Sequence, residues 1–322
     1  MVKALITGGA GFIGSHLAEY LLAMGQEVMV IDDLSTGRMD NLAQIHNHPH
    51  LTIVTDDIRN LSALEPLVRE CDVIYHLAAV LGVQKILKEP IRTIEVNIGG
   101  TEAVLKMAHR YHKKVLVAST SEVYGKGTKF PFSEDDDTLV GATSKMRWAY
   151  AATKAVDEFL ALAYHQETGL PVIVFRPFNT VGARQTGQYG MVLPRFVKWA
   201  LAGEPLQVYG DGSQTRCFGN VRDVVDALYK LAQEPSAVGQ VFNIGSTEEI
   251  SIKGLAERVI TRTKSASVIQ YIPYDQAYEK GFEDFVRRVP NIAKIIGTIE
   301  WKPTTLLDET IDQIIEYMQK ER

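Results

Sequence analysis

The run Lys3-Ala4-Leu5-Ile6-Thr7-Gly8-Gly9-Ala10-Gly11-Phe12-Ile13-Gly14-Ser15-His16-Leu17 decides the fold. A short β-rich segment ends in glycines at every third position and opens a helix. Gly8 permits a tight turn, Gly11 lets the backbone approach a pyrophosphate, and Gly14 lets the helix pack on the strand. The unpaired N–H groups of the helix N-terminus then face the anion. The next β-rich run ends in Asp32-Asp33, roughly 20 residues on, where a ribose-binding acid belongs. Asp32 is expected to accept hydrogen bonds from ribose hydroxyls and to repel a 2′-phosphate, which favours NAD over NADP. A plain glycine-rich turn is the bland alternative, and the strand, helix and acid in their places argue against it.

The first 180 residues continue in the same alternation, the pattern of βαβ units around a parallel sheet. Further strands are expected at Glu27–Ile31, Leu51–Val54, Val73–His76, Lys114–Ala118 and Val172–Phe175. Apolar residues at three- and four-residue spacing predict long helices over Ile91–Tyr111 and Tyr150–Gln166. After Arg176-Pro177 the alternation loosens into glycine-rich loops, with helices near Leu193–Ala202 and Val221–Gln233. The tail predicts a helix from Ser251 to about Arg262, a strand Val268–Tyr271, a loop, and a last helix from about Leu306 to Gln319.

Composition narrows the partners. With 322 residues, 46% hydrophobic and 23% charged, the chain can bury a large core without staples. A net charge of -5 with no long Lys/Arg cluster disfavours nucleic acid. No apolar run approaches the roughly 20 residues of a membrane span. Cys71 and Cys217 are too few and too distant for a disulfide framework or a zinc site, which fits a reducing cytoplasm. The chain start lacks the pattern of a signal peptide.

The glycine spacing together with Tyr150-Ala151-Ala152-Thr153-Lys154 resembles the extended short-chain dehydrogenase/reductases, the NAD-dependent epimerase/dehydratase family, over nearly the whole chain. The likeness includes Asp56-Asp57-Ile58, which the family places by the adenine, and His76-Leu77-Ala78-Ala79 beside the cofactor. Asn97 of Val96-Asn97-Ile98-Gly99-Gly100-Thr101 belongs to the same set. The resemblance implies NAD held by Gly8, Gly11, Phe12, Ile13, Gly14, Asp32, Asp57, Ile58, Leu77, Ala78, Ala79, Asn97, Tyr150 and Lys154. It implies an α/β chain: a Rossmann-type doubly wound parallel sheet with a smaller α/β substrate-binding lobe for a nucleotide sugar. The NAD domain is assigned to 1–178, with 214–246 returning to it, and the sugar lobe to 179–213 and 247–322.

Tyr150 and Lys154 are one helical turn apart and share a face, and an ammonium near a phenol lowers the phenol pKa from about 10. Such a pair alone is most often a solvated surface pair. Here Ala118-Ser119-Thr120-Ser121-Glu122 ends a strand where this kind of sheet binds its ligands. By resemblance, Tyr150 is the base toward a sugar hydroxyl, Thr120 shares that hydroxyl, and Lys154 also holds the nicotinamide ribose.

Ser121-Glu122 resembles the nucleotide-uronate decarboxylases, where 4,6-dehydratases carry Asp-Glu and 4-epimerases a small or hydroxyl residue at the second position. Glu283-Asp284-Phe285-Val286-Arg287-Arg288-Val289-Pro290 matches their Arg-x-Pro segment through Arg288. Read without the resemblance, Glu122 is a strand-end carboxylate and Arg287-Arg288 a solvated pair. With it, Thr120, Ser121, Asn179, Arg216 and Arg288 are expected to bind a UDP-sugar, and Thr120, Glu122, Tyr150, Lys154 and Arg288 to be catalytic. Asn179 and Arg216 match contacts to the diphosphate, and a planar guanidinium suits that role. Ala183 in place of a proline and Gly219-Asn220-Val221-Arg222 depart from the usual pattern.

UDP-glucuronate decarboxylation to a UDP-pentose through a 4-keto intermediate is the leading expectation. A UDP-sugar 4-epimerase is the alternative, followed by a 4,6-dehydratase and a non-catalytic NAD-binding protein. Arg147-Trp148 and Arg216-Cys217-Phe218 resemble an oxidative branch that releases the 4-keto pentose with NADH, so reuse of the reduced cofactor is left open. The two long helices match a four-helix homodimer interface in the family, and packing within one chain explains their periodicity equally well. No metal is expected: His46-Asn47-His48-Pro49-His50 reads as an exposed loop and Glu134-Asp135-Asp136-Asp137 as a solvated run. Cys217 reads as an inert buried residue rather than a nucleophile.

Overall fold

The computed structural model describes residues 1–187, 191–273, 276 and 287–320, the side chains of 83–85 excepted. The expected strands form as β1 (Lys3–Thr7), β2 (Glu27–Asp32), β3 (Leu51–Thr55), β4 (Val73–His76), β5 (Lys114–Ala118) and β6 (Val172–Pro177). With the strand Val241–Ile244 they make a seven-stranded parallel sheet in the order Val241–Ile244, β6, β5, β4, β1, β2, β3. The order reverses between β1 and β4, and an open parallel sheet binds ligands at the carboxyl ends beside such a reversal.

Alternate strand residues enter cores on opposite faces. On one face Ala4, Ile6, Val28 and Val30 meet α1 (Phe12–Ala23) through Leu17 and Leu21. On the other, Leu5, Met29, Val172 and Val174 meet α2 (Leu61–Glu70), α4 (Pro90–Arg110) and α5 (Ala149–Thr168). The short α3 (Val83–Lys88) leads into α4. Burial on both faces explains why the central strands read as unbroken apolar runs. The parallel doubly wound sheet expected from sequence is present.

A separate core joins α6 (Val192–Ala202), α8 (Ile252–Thr263) and the final helix Leu307–Lys320 through Leu193, Phe196, Leu255, Val259, Ile311 and Ile314. The intervening α7 (Val221–Gln233) packs its Val224 and Leu228 against the main sheet instead. Beside this second core, strand Thr215–Cys217 pairs antiparallel with Glu249–Ser251 and parallel with Arg287–Arg288.

Several elements were not anticipated. Pro66 inside α2 hides its periodicity, while Asn60 caps it by accepting from Ser62 N at 3.2 Å. The expected loop after Tyr271 contains the short helix Ala293–Ile299, whose Ile295 joins the main core. Residues 274–275 and 277–286 of that expected loop, including Glu283–Val286 of the Arg-x-Pro segment, lie outside the described residues. The acidic run is not wholly solvated. Glu134 Oε1 accepts the Asn243 N–H at 2.8 Å, and its carbonyl accepts Arg176 at 3.0 Å, because the loop crosses the end of the sheet. Cys71 and Cys217 are buried free thiols, both pushed up to about 12 by burial. No described helix is long and apolar enough to cross a membrane.

Candidate active site

A cavity of about 490 Å³ opens over the carboxyl ends of the main sheet and is walled on its far side by residues of the second core. Its nucleotide end follows from the glycines. Gly8 has φ +73°, and a Cβ there would sit 2.8 Å from Ala78 N. A Cβ on Gly14 would meet Gly8 O at 2.2 Å, so α1 packs on β1 only with glycine at that position. Gly11 caps α1 without any side-chain hydrogen bond, and the first turn carries no acid. The helix dipole and its first N–H groups are therefore offered to the cavity.

Asp32 closes this end, 7% exposed, accepting Ala10 N–H at 2.9 Å and Leu34 N–H at 2.8 Å. Phe12, Ile13, Ile58, Leu77, Ala78 and Ala79 line the same wall. Asp57 lines it too, and hydrogen bonds from Arg59, the shorter at 2.6 Å, hold its carboxyl below the ordinary range. Asn97 does not reach the cavity: it is buried, accepts Val80 N–H at 2.7 Å and donates to Val80 O at 3.2 Å, fixing the loop that does. Uncapped helix, glycine cradle and ribose acid fit a dinucleotide.

At the centre, Thr120 caps the turn after β5 by accepting Glu122 N–H at 3.2 Å, and its hydroxyl also hydrogen-bonds the Tyr150 phenol. Ser121, Tyr150 and Lys154 complete the floor. The expected low phenol pKa is not found in the protein alone. Enclosure raises Tyr150 far above 10, the Glu122 and Asp157 carboxylates raise it further, and Thr120 and Arg288 offset this only in part. Lys154, 2% exposed, turns its Nζ to Asp157 Oδ2 at 2.7 Å. Behind this pair, Thr7 Oγ1 meets His76 Nδ1 at 2.8 Å and His76 Nε2 meets Thr101 Oγ1 at 2.9 Å.

The opposite wall is charged. Glu122 accepts from Arg147 Nη1 at 2.9 Å and lies 3.6 Å from Arg288 Nη1. Burial alone would raise the Glu122 carboxyl, but the Arg147 and Arg288 guanidiniums outweigh it and hold it below the ordinary range. Arg288 also donates to Asn179 Oδ1, whose amide donates to Cys217 O at 2.8 Å. Arg216 stands beside Arg288 in register and lines the cavity. Residues far apart in sequence thus form one cluster. Among the described residues no group of three or more His, Cys, Asp and Glu side chains could hold a metal.

Residues 5–314 match the family model described as GDP-mannose 4,6 dehydratase. The chain belongs to this family. It falls within the NAD-dependent epimerase/dehydratase superfamily, the extended short-chain dehydrogenase/reductases. It is similar to a UDP-N-acetyl-alpha-D-glucosaminuronate decarboxylase of Bacillus cytotoxicus, 42% identical over 319 residues, 99% of this chain and 98% of that one. UDP-glucuronic acid decarboxylase 1 of Danio rerio is 38% identical over 319 residues, 99% of this chain and 73% of that protein. The crystal structure of UDP-glucuronic acid 4-epimerase from Bacillus cereus, in complex with UDP-glucuronic acid and NAD, superposes with TM-score 0.89 at 27% identity, covering 100% of both chains.

Against this family background, three residues stand outside the set expected from sequence. Arg147 entered only as part of a resemblance; it lies in the short turn Met146–Trp148 that leads into α5. It is 5% exposed and stacks on Trp148 with 4.6 Å between guanidinium carbon and ring centroid. Arg195 of α6 lies 4.6 Å from the Trp199 ring centroid and donates to Tyr209 Oη at 2.9 Å, its i,i+4 spacing to Trp199 being the available signal. Asp157, buried behind Lys154 rather than lining the cavity, offered only its i,i+3 spacing to Lys154 as a signal.

Proposed function

We propose that the chain is an NAD-dependent decarboxylase of a UDP-linked hexuronate, with UDP-glucuronate as its expected substrate. The observation that carries this reading is Glu122 held between Arg147 and Arg288 beside the Thr120–Tyr150 hydrogen bond. One carboxylate against two guanidiniums leaves net positive charge beside the reacting hydroxyl, the environment a sugar carboxylate needs. A 4-epimerase of a neutral sugar has no use for it. Similarity to two decarboxylases of nucleotide uronates supports the same class.

NAD, when bound, takes up and returns the electron pair of the sugar C4–H bond. Gly8, Gly11 and Gly14 would admit its pyrophosphate, Asp32 its ribose, and Lys154 the nicotinamide ribose. Tyr150 takes the proton of the C4 hydroxyl, with Thr120 orienting that hydroxyl. The C4 ketone lies β to the C6 carboxylate, so the C5–C6 bond breaks, carbon dioxide leaves, and the electron pair stays in an enolate. Arg288 and Arg147 hold the incoming carboxylate, Glu122 fixes both guanidiniums, and Asn179, Ser121 and Arg216 hold the rest of the UDP-sugar. Protonation of the enolate at C5 gives the UDP-4-keto-pentose, and return of the electron pair to C4, with Tyr150 giving its proton back to the C4 oxygen, would give the UDP-pentose.

The division into an NAD domain, 1–178 with 214–246, and a sugar lobe, 179–213 with 247–322, belongs to this reading, although Ile292, Ile295 and Trp301 pack in the main core and Phe218 in the second. A homodimer is part of it as well. Ile91 and Phe159, 72% and 70% exposed on the packed pair α4 and α5, form an apolar face suited to a second copy. Unpaired buried cysteines suit a reducing cytoplasm.

The test is incubation with NAD and either UDP-glucuronate or its 2-acetamido analogue, following carbon dioxide, reduced-cofactor absorbance and the product by NMR. Carbon dioxide with a UDP-pentose and no net reduction is the expected result. Carbon dioxide with stoichiometric reduced cofactor assigns the oxidative branch. UDP-galacturonate without carbon dioxide makes the chain a 4-epimerase and removes the decarboxylase reading.

A further inference from the structure

Tyr150, Lys154 and Asp157 stand at spacings of four and three on α5 and so project from one face of the helix. Two of the three are charged, and the Lys154 and Asp157 side chains are 2% and 0% exposed. A buried ammonium requires a counter-charge, and Asp157 supplies it at 2.7 Å. The neighbouring buried pair shows what a purely structural tie looks like. Glu158 engages Arg176 with both oxygens, at 2.8 and 2.6 Å, and also accepts the Ser119 hydroxyl. Asp157 is different: its Oδ2 accepts from Lys154 alone, and its Oδ1 turns to Thr101 rather than to a second cation. A half-satisfied carboxylate in a dry interior costs stability that a hydrophobic residue would not.

We propose that Asp157 is a positioning residue: its carboxylate fixes the Lys154 ammonium and draws part of its field away from the Tyr150 phenol. The inference rests on the proposed proton transfer at Tyr150 and adds the residue that sets when it happens. Tyr150 is faced by Thr120 and Glu122 from the turn after β5, with Arg147 beyond Glu122. It is faced by Arg288 from the ribbon of the second core, and by Lys154 and Asp157 from its own helix. The Lys154–Asp157 pair is faced by His76 of β4, Thr101 of α4 and Glu158. Of the carboxylates, Glu122 is already balanced by two guanidiniums, whereas Asp157 is balanced by the single Lys154 ammonium, one helical turn from Tyr150. The Asp157 carboxylate directly favours the neutral phenol, and it also holds the Lys154 ammonium one helical turn from Tyr150. Removing its charge therefore lowers the pH at which Tyr150 ionises.

The experiment follows Tyr150 directly in the NAD-loaded protein by NMR of the ¹³Cζ-tyrosine resonance, assigned by its absence in Tyr150→Phe. In Asp157→Asn the titration is expected to move down by roughly one pH unit or more, and in Asp157→Ala in the same direction. Where UDP-glucuronate is turned over, the acid limb of the kcat profile moves with it. An unmoved titration in either folded variant overturns the proposal, even if its melting temperature falls. Failure of both variants to fold and take up NAD overturns it as well, because the pair is then structural. The titration needs no substrate, so a chain that fails to decarboxylate UDP-glucuronate refutes the functional reading without touching this result.

Discussion

The two walls of the cavity are built from opposite materials. Behind Tyr150 lies a dry chain, Thr7, His76, Thr101, Asp157 and Lys154, supplied by β1, β4, α4 and α5 of the main sheet. Across the cavity stands a ribbon of guanidiniums, Arg288 and Arg216, joined to Arg147 through Glu122. In the proposed reaction the first wall holds or releases one proton and is insensitive to what the sugar carries at C5. The second adds positive charge and serves only a substrate that brings negative charge. The contrast separates reaction type from substrate choice: the sheet fixes the oxidation, and the ribbon fixes which sugar profits from it.

Tyr150→Phe strikes the first wall and carries the largest expected effect. Turnover should fall about a thousandfold, the scale of a lost general base, while NAD binding by fluorescence titration stays within experimental error. Loss of NAD affinity in a folded variant would show that Tyr150 belongs to the cofactor cradle instead. Arg288→Ala strikes the second wall. Carbon dioxide release should drop by roughly a hundredfold, with single-turnover oxidation at C4 retained, since a desolvated charge pair to the substrate is worth a few kcal/mol. Equal loss of both steps would erase the distinction between the walls.

The smallest effect is on stability. Burial, and after it the Lys154 ammonium, pushes His76 down to about 3 from its ordinary 6.5, so an unfolded chain gains a proton that the folded one refuses. Stability is full above pH 6.5 and is lost as the pH falls toward 3; the window from pH 7 to 5 costs about 2 kcal/mol for this ring. Thermal melts at the two pH values should show a smaller acid shift in His76→Asn than in the parent chain. The same shift in both would mean that the ring protonates in place.

The dinucleotide end was legible almost residue by residue, because its logic is local. Gly8, Gly11 and Gly14 act through backbone sterics within one turn, and Asp32 follows at the end of the next strand. Strands β1, β2, β4, β5 and β6 were legible because burial on both faces leaves continuous apolar runs. Val241–Ile244 was not, since a strand of four residues separated from β6 by a whole second core has no local mark of its partner. The charged wall was legible only through resemblance. Nothing in the spacing of Glu122 and Arg288 states that they meet, and the Lys154 tie to Asp157 was not read because an ammonium can turn to any carboxylate within reach. Asp157, one turn below, wins that competition, and only packing reveals it.

In the ribbon of the second core, Arg288 sits directly across from Arg216, which in turn pairs with Ile250 on the other side. Side chains alternate across such a ribbon, so one residue inserted or deleted in the strand Thr215–Cys217 would rotate Arg216 out of the cavity and shift the register that presents Arg288. On the proposed reading, the grip on the diphosphate and the grip on the carboxylate are thereby geared together like teeth on one shaft. A lineage, or an engineer, seeking a neutral sugar must replace these arginines in place, because sliding the strand would surrender the nucleotide along with the acid.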